Sequence, residues 1–335
     1  MGRQINFKVG IIGCGLIGLK RSKSLGSKGD LIACADTNID NAKKIATSKK
    51  IKVFKNWKKL LDIKEIDIVI IATPHSQLSK ILLEAYKKKK HILVEKPASK
   101  NLKEISKLIS KIKNNRIKIR VAFNHRYHPS IIKAQEIIKS GIIGKPMYLR
   151  GRYGHGGRLN YEKEWRAKPS ISGGGELIDQ GSHLIDLSRL FLGEFNKING
   201  FINTYFYKMS VEDNAFLTLK THTNKIAFLH TSWTEWKNMF SFEIFCTFGK
   251  IDINGLGGSY GREQLTLYQM SKKMGIPRQE KWKFKLKDLS WKTEINEMYK
   301  DITYNRKVIP NLNDAYQSLK IINKIYKDSK YDHIS

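Results

Sequence analysis

Cysteine is scarce in this chain. Its 335 residues hold three, Cys14, Cys34 and Cys246, with no CxxC spacing, and two of them fall inside an apolar stretch near the start. They read as small buried apolar residues, which excludes a disulfide framework and a cysteine metal site. Long apolar runs are also missing: the longest, around Val9 to Leu19, is interrupted by glycines and falls short of the roughly 20 residues a membrane helix needs. The opening MGRQIN is no signal peptide, and Asn6 stands where a myristoylation site would want serine or threonine. A cytoplasmic protein with no membrane partner is expected. Neither an internal repeat nor a disordered linker is visible.

Acidic residues are few. Asp and Glu number 30 against 62 Lys and Arg, a formal net charge of +32. Such a surface could serve nucleic acid or an anionic partner. The lysines are spread along the whole chain among Ile and Asn, as in Lys43-Lys44, Lys49-Lys50, Lys58-Lys59 and Lys87 to Lys90, the pattern of solvated helix faces. No recognition helix, RNP-like motif or aromatic stacking array accompanies them, so no nucleic-acid partner is expected. The field would still draw in an anionic small molecule.

What is present is organised around Lys8 to Asp36. The apolar run Val9 to Ile12 breaks into Gly13-Cys14-Gly15-Leu16-Ile17-Gly18, a helical segment follows, and a second apolar run from Leu31 to Ala35 ends on Asp36. Strand, glycine turn, helix, strand and acid make up a dinucleotide site: the glycines allow a tight turn, close approach of a pyrophosphate and close helix packing, and the helix start offers unpaired N–H groups. Asp36 lies 18 residues past Gly18, where a carboxylate bonds a ribose 2′-OH and repels a 2′-phosphate. Thr37 and Asn38 supply no cation to hold that phosphate, so the expected cofactor is NAD in preference to NADP.

The alternation continues. Val53-Phe54 reads as a short strand, Ile66 to Ala72 and His91 to Glu95 as buried parallel strands and Ile119 to Phe123 as a sixth, with helices at Asn41 to Ser48, Leu78 to Lys88 and Leu102 to Lys113. From Pro146 the pattern changes to successive strands, Met147 to Tyr153, Lys197 to Tyr207, Asn214 to Leu219, Lys225 to Trp233 and Phe240 to Phe248, before closing helices at Thr293 to Asn305 and Asn313 to Lys327. Gly255 to Gly261 and Ser271 to Gly275 read as loops. The fold class expected is α/β: a doubly wound parallel sheet over 1–124, then an α+β domain over 125–335 with a large, mostly antiparallel open sheet, its C-terminal helices packing back on the first domain. Helix Ile178 to Leu192 would cover one face of that sheet, leaving the other for a homodimer or homotetramer.

Two stretches carry chemistry. Glu95-Lys96-Pro97 closes a strand at the sheet rim, where ligands bind in such folds, and Pro97 fixes the backbone so that Lys96 can polarise or protonate a substrate oxygen. Gly173-Gly174-Gly175-Glu176-Leu177-Ile178-Asp179-Gln180-Gly181-Ser182-His183 places Asp179 and His183 four apart on one helix face, suited to general acid and base work. The same pair could be a helix-stabilising contact or, with Glu176 and Asp186, a metal site; no second histidine lies at ligand spacing, and no metal is expected.

With GCGLIG at 13–18, Asp36, Thr73-Pro74, Glu95-Lys96-Pro97, Asn124-His125-Arg126-Tyr127-His128-Pro129, Trp165-Arg166 and GGGELIDQGSHLID at 173–186, the sequence resembles the Gfo/Idh/MocA family of NAD(P)-dependent oxidoreductases over nearly its full length. The resemblance implies Lys96, Asp179 and His183 as the catalytic set. It puts Thr73, Glu95 and Asn124 near ribose and nicotinamide, beside Pro74 and His75, and gives Trp165 and Arg166 to cofactor or substrate. Leu78 stands where the family often has a histidine shortly after the TP pair; His75 lies nearby. It further implies hydride transfer at a carbinol carbon of a sugar or cyclitol, with Arg126, Tyr153, His155 and Arg158 on the substrate side. Arg152, His155 and Arg158 lie among glycines in a stretch that is equally compatible with a solvated basic loop; as a binding loop, with the positive field, they favour an anionic sugar, a nucleotide sugar or sugar acid, over a neutral polyol or free hexose. A non-catalytic NAD-binding sensor is the rival from another class.

Overall fold

The computed structural model describes residues 6–330 except 114, 115 and 272. Most of the MGRQIN segment and Lys272 of the Ser271 to Gly275 loop lie outside the described residues. Within them the chain divides into two compact units, one of residues 6–123 with 291–317 and one of residues 124–290 with 318–330. The stretch 291–317 therefore belongs with the first unit, and Asn124 with the second.

The first unit runs β1 (Phe7–Ile12), α1 (Leu16–Ser24), β2 (Gly29–Ala35), α2 (Ile39–Ile45), β3 (Lys52–Phe54), α3 (Trp57–Leu61), β4 (Ile68–Ile71), α4 (His75–Lys87), β5 (His91–Glu95), α5 (Leu102–Lys111) and β6 (Ile119–Ala122). The six strands pair in parallel in the order β3-β2-β1-β4-β5-β6, a doubly wound sheet. Every residue of β4 and β6 is buried, as strands covered on both faces require.

The second unit contains α6 (Pro129–Ser140), β7 (Pro146–Gly154), α7 (Pro169–Ser172), a π-helical turn (Leu177–Gly181), α8 (Ser182–Leu192) and seven strands: β8 (Phe195–Asn203), β9 (Asn214–Thr221), β10 (Ile226–Ser232), β11 (Met239–Cys246), β12 (Gly249–Asn254), β13 (Gln264–Gln269) and β14 (Arg278–Lys283). Their sheet has the order β14-β13-β12-β11-β7-β10-β9-β8. All its pairs are antiparallel except β7 with β10, which makes the sheet mixed at its centre. Alternate residues Leu149, Leu217, Leu229, Phe242, Ile244, Ile251 and Leu265 are buried on one face. Gly151 of β7 lets α8 approach that face: a Cβ there would stand 3.2 Å from Leu184. The opposite face exposes Tyr148, Phe201, Ile226 and Phe228.

Two closing helices follow, α9 (Ser290–Thr303) and α10 (Leu312–Asp328). Ile295, Met298 and Tyr299 of α9 enter the core of the first unit, where Tyr299 stacks on Phe7 at 5.1 Å and donates to the Leu25 carbonyl at 3.0 Å. Among the described residues no helix is long and apolar enough to cross a membrane.

Candidate active site

In the first unit, β1 runs into Gly13, whose φ of +89° and N–H bond to the Ala35 carbonyl at 2.9 Å turn the chain tightly; a side chain there would strike the Ala72 carbonyl at 2.4 Å. Helix α1 then starts after Gly15 with no side-chain cap and no acid in its first turn, so its leading N–H groups have no capping partner from the helix start. A Cβ on Gly15 would meet nothing within 4 Å, Leu16 is exposed and Ile17 half-buried, which leaves open space over the helix N-terminus. Asp36 is fixed at the tip of β2: its Oδ2 accepts from the Cys14 N–H at 2.6 Å and its Oδ1 from the Asn38 N–H at 2.8 Å. The buried Thr73 hydroxyl has no hydrogen-bond partner among the described residues. An open helix start for a pyrophosphate, an anchored carboxylate for a ribose and a spare hydroxyl fit a dinucleotide. Pro74 and the buried His75 follow Thr73 at the start of α4.

At the end of β5, Lys96 is half-buried and precedes a cis bond to Pro97. Glu95, expected beside the ribose and nicotinamide, binds a buried cation: Arg21 donates to its Oε1 at 2.7 Å, gives a second bond to Glu294 at 2.6 Å and lies 4.4 Å from the Trp291 ring centre. A buried guanidinium needs such partners. Burial pushes the Glu294 carboxyl up to about 7 even with Arg21 against it.

In the second unit the glycine run has a packing cause. Gly175 lies so close to β9's approach that a Cβ would stand 2.0 Å from the Glu212 carbonyl, and one on Gly174 would stand 2.0 Å from the Tyr326 hydroxyl. The buried Glu212 carboxylate accepts from the Gly175 and Leu177 N–H groups, each at 3.0 Å, and from Tyr326 at 2.8 Å. That clamp holds the start of the turn carrying Asp179. Residues 177–181 form an i→i+5 π turn, where the sequence pattern gave an unbroken α-helix; α8 begins only at Ser182. Asp179 and His183 remain four residues apart and close to one turn. Such π turns are frequent at functional sites.

His183 lies flat against His125, ring centres 3.7 Å apart and planes within 18°. His125 belongs to the short 3-10 turn Asn124–Tyr127, and Tyr153 of β7 is tilted beside it at 5.2 Å. Tyr260 packs on Tyr153 at 4.9 Å and receives a bond from Gln180 at 2.9 Å. Burial holds the Tyr153 phenol well above its ordinary titration and pushes Tyr260 up to about 12, so both act as neutral donors. Asn124 donates to the Ser290 hydroxyl at 2.9 Å.

Three of the arginines, Arg126, Arg158 and Arg166, are already engaged. Arg126, placed on the substrate side by the sequence, is buried in a two-bond pair with Asp186 at 2.7 and 2.6 Å, so it braces α8 against the 3-10 turn. Arg158 grips Glu164 through two bonds of 2.5 Å. Arg166, beside Trp165, donates to Asp179 at 2.9 Å and lies 3.7 Å from Glu164. Arg152 alternates with Tyr153 along β7 and is exposed, on the opposite side of the sheet. His155 accepts from the Gly157 N–H at 2.9 Å, and burial drives its ring down to about 4, leaving it neutral near pH 7. Among the described residues no group of three or more histidines, cysteines or carboxylates is placed to hold a metal ion.

Residues 7–123 match the oxidoreductase family model for an NAD-binding Rossmann fold, and residues 131–252 match the GFO/IDH/MocA C-terminal domain. The chain belongs to the Gfo/Idh/MocA oxidoreductase family. Similar family members include the levoglucosan dehydrogenase of Pseudarthrobacter phenanthrenivorans, 34% identical over 45% of this chain and 39% of its own. Oxidoreductase P35 of Formosa agariphila is 31% identical over 59% of this chain and 64% of its own, and the myo-inositol 2-dehydrogenase of Thermotoga maritima 28% over 56% and 55%. The chain thus spans less than two thirds of these relatives' lengths. A levoglucosan dehydrogenase solved with NADH and levoglucosan shares the fold, with a TM-score of 0.87 at 24% identity over 97% of both chains.

His125, Tyr260 and Glu212 were missed as site residues by the sequence reasoning. His125 lies inside the Asn124 to Pro129 motif and could have been found there; Tyr260 and Glu212 carry no local signal, because their partners are 80 and 35 residues away.

Proposed function

We propose that this chain is an NAD-dependent dehydrogenase acting on a secondary alcohol of a neutral sugar or cyclitol. The observation that carries the choice of a neutral substrate is the placing of the arginines: Arg158 is bound to Glu164, Arg166 to Asp179, and the exposed Arg152 lies on the other side of the sheet from Tyr153. The relatives named for levoglucosan and inositol act on uncharged rings, which supports the same reading against a nucleotide sugar or sugar acid. The net charge of +32 is then a property of solvated helix faces.

NAD supplies a nicotinamide able to exchange hydride with the substrate carbon. Gly13, Gly15 and the start of α1 would hold its pyrophosphate, and Asp36 a ribose hydroxyl, favouring NAD over NADP. Leu16, Ile17, Thr73, Pro74, His75 and Asn124 complete the cofactor side, with Trp165 next to it. His183 takes the hydroxyl proton as the alcohol is oxidised and returns it in reduction, and the Lys96 ammonium stabilises the negative charge that develops on oxygen. Asp179 steadies the imidazolium formed at His183, while Tyr153 and His155 offer neutral hydrogen-bonding groups to ring hydroxyls. The exposed apolar face of the large sheet, with Phe201 at 79% exposure and Phe228 at 52%, is assigned to a second copy of the chain. Light scattering giving only monomer at micromolar concentration would remove that assignment.

The test is nicotinamide absorbance with NAD⁺ and separately NADP⁺ across anhydrosugars, free hexoses, inositols, sugar phosphates, sugar acids and nucleotide sugars. Turnover of an uncharged ring with NAD⁺, lowered about 10²- to 10³-fold in Lys96→Ala and in His183→Asn, is expected. Turnover confined to a charged sugar refutes the substrate class. Tight NAD⁺ binding with silence across the panel favours the sensor reading.

A further inference from the structure

Three turns meet at one end of the large sheet. Strands β7 and β10 run parallel and both finish there, at Gly154 and Ser232, while Asn214 of β9 pairs with Ser232 and with Asn203, the last residue of β8. The segments leaving these ends, 155–161, 204–213 and 233–238, share one rim with His155, the ring assigned above to substrate hydroxyls. Two exposed side chains stand on that rim: Phe206, 58% exposed, and Trp236, 65% exposed, meet edge to face at 4.9 Å with their planes at 85°.

Both rings are held firmly. The buried Asp213 carboxylate accepts from the N–H groups of Tyr205 and Phe206 at 2.9 Å and of Tyr207 at 3.2 Å, which fixes the turn beneath Phe206. Trp236 has a φ of +54°, a conformation that bulky residues rarely adopt. Its backbone packs so closely on Gly156 that a Cβ there would stand 2.9 Å from the Trp236 carbonyl carbon, and the neighbouring Glu235 N–H donates to the His155 carbonyl at 3.2 Å. Trp236 is thus fastened to the segment that carries His155. Phe206 is joined to it as well, through ring contacts from His155 to Tyr161 at 5.7 Å, Tyr161 to Tyr207 at 5.6 Å and Tyr207 to Phe206 at 5.1 Å. Backbone strain kept at an exposed aromatic residue points to a use outside the core.

We propose that Phe206 and Trp236 form a stacking subsite for a second, uncharged sugar ring, so that the substrate is a glycoside or oligosaccharide with its reacting ring at His183 and the next ring on this corner; the inference rests on the neutral-sugar reading above. One face of a sugar ring presents C–H groups that are weakly positive, and an aromatic face is negative, so the two stack without any charged partner. The size of the corner agrees. Even with the exposed Tyr205 beside it, the open parts of these side chains fall far short of the roughly 800 Å² per partner that a protein contact needs.

The test is calorimetric titration of the full chain, with NADH present, using maltose, cellobiose, lactose and sucrose beside their component monosaccharides. At least one disaccharide is expected to bind about tenfold more tightly than its component monosaccharide. Trp236→Gly and Phe206→Ala should each bring that ratio close to one, whereas Trp236→Phe, which keeps a flat ring, retains most of it. Glycine accepts the positive φ at 236, and a melting temperature close to that of the wild type separates lost stacking from lost folding. Equal binding of mono- and disaccharides in the wild type overturns the proposal, as does the absence of any disaccharide binding. A ratio that survives Phe206→Ala combined with Trp236→Gly overturns it too; light scattering showing that this double variant has lost its oligomer would then assign the corner to a contact between copies of the chain. Binding requires no turnover, so a disaccharide held on the corner but never oxidised sinks the proposed dehydrogenase and leaves the stacking site standing.

Discussion

Arg166 donates through Nε to Asp179 Oδ2 at 2.9 Å, so the carboxylate four residues before His183 also holds a guanidinium. An opposite charge stabilises the carboxylate and cancels part of its field at His183. Removing it in Arg166→Ala leaves Asp179 to act fully on the imidazole. The acid limb of kcat/KM is expected to move to higher pH, because a stronger negative neighbour favours protonated His183. An unchanged limb in a stopped-flow or steady-state pH profile would detach Asp179 from the proton transfer.

Asp36, proposed to meet the ribose, also holds the glycine loop through its 2.6 Å bond from Cys14. In Asp36→Ser the charge that repels a 2′-phosphate is gone and a charge-assisted acceptor is lost, an effect of about 1.5 to 3 kcal/mol. NAD⁺ affinity should fall by one to two orders of magnitude while NADP⁺ affinity falls less or rises. Calorimetric titration of both cofactors reads the two constants side by side.

Glu212 is fully buried, and burial pushes its carboxyl up to about 7 against the hydrogen bonds from Tyr326, Leu177 and Gly175 that favour the ionised form. The folded value lies above the unfolded one, so its contribution is fully present below about 4.5 and is lost as pH rises through about 7. At higher pH the cost is on the order of 3 kcal/mol. Glu212→Gln should flatten the fall in thermal stability between those pH values; the difference between the two melting curves isolates this group from all others.

Arg21 is enclosed between Glu95 and Glu294. Arg21→Ala leaves the buried Glu294 and the partly buried Glu95 without their cation and is expected to destabilise the first unit by about 3 to 5 kcal/mol. Replacing all three with apolar residues of similar volume should recover much of that loss, since the pair's desolvation cost disappears with it. Denaturant unfolding of both variants checks the two expectations, and a mild effect of Arg21→Ala would mean that water reaches the cluster.

Periodicity made the parallel sheet readable because its strands are local apolar runs buried on both faces, and the glycine loop because its conformations are demanded within a few residues. The same local logic covers α6, which the reading passed over although Pro129 at its first turn, Gly141 at its C-terminus and the buried Ile131, Ala134 and Ile137 announce it. β14, with the sequence RQEKWK, has no apolar alternation and exists only because β13 offers an unpaired edge. The parallel pairing of β7 with β10 likewise depends on partners 78 residues apart in register, Tyr148 with Ile226.

The sequence by itself determined the family and the glycine turn of the first βαβ unit, and it singled out Asp36, Lys96 and the Asp179 and His183 pair as candidates, since each is a residue type at a fixed short spacing whose chemistry is local. Tertiary structure decided which charges are spent: Glu95 on Arg21, Arg126 on Asp186, Arg158 on Glu164, Arg166 on Asp179. It also decided that His125 lies under His183 and Glu212 under the π turn. The physical reason is that a charge or ring is free or committed according to what folding brings within hydrogen-bond or van der Waals reach, and most of those partners come from distant parts of the chain.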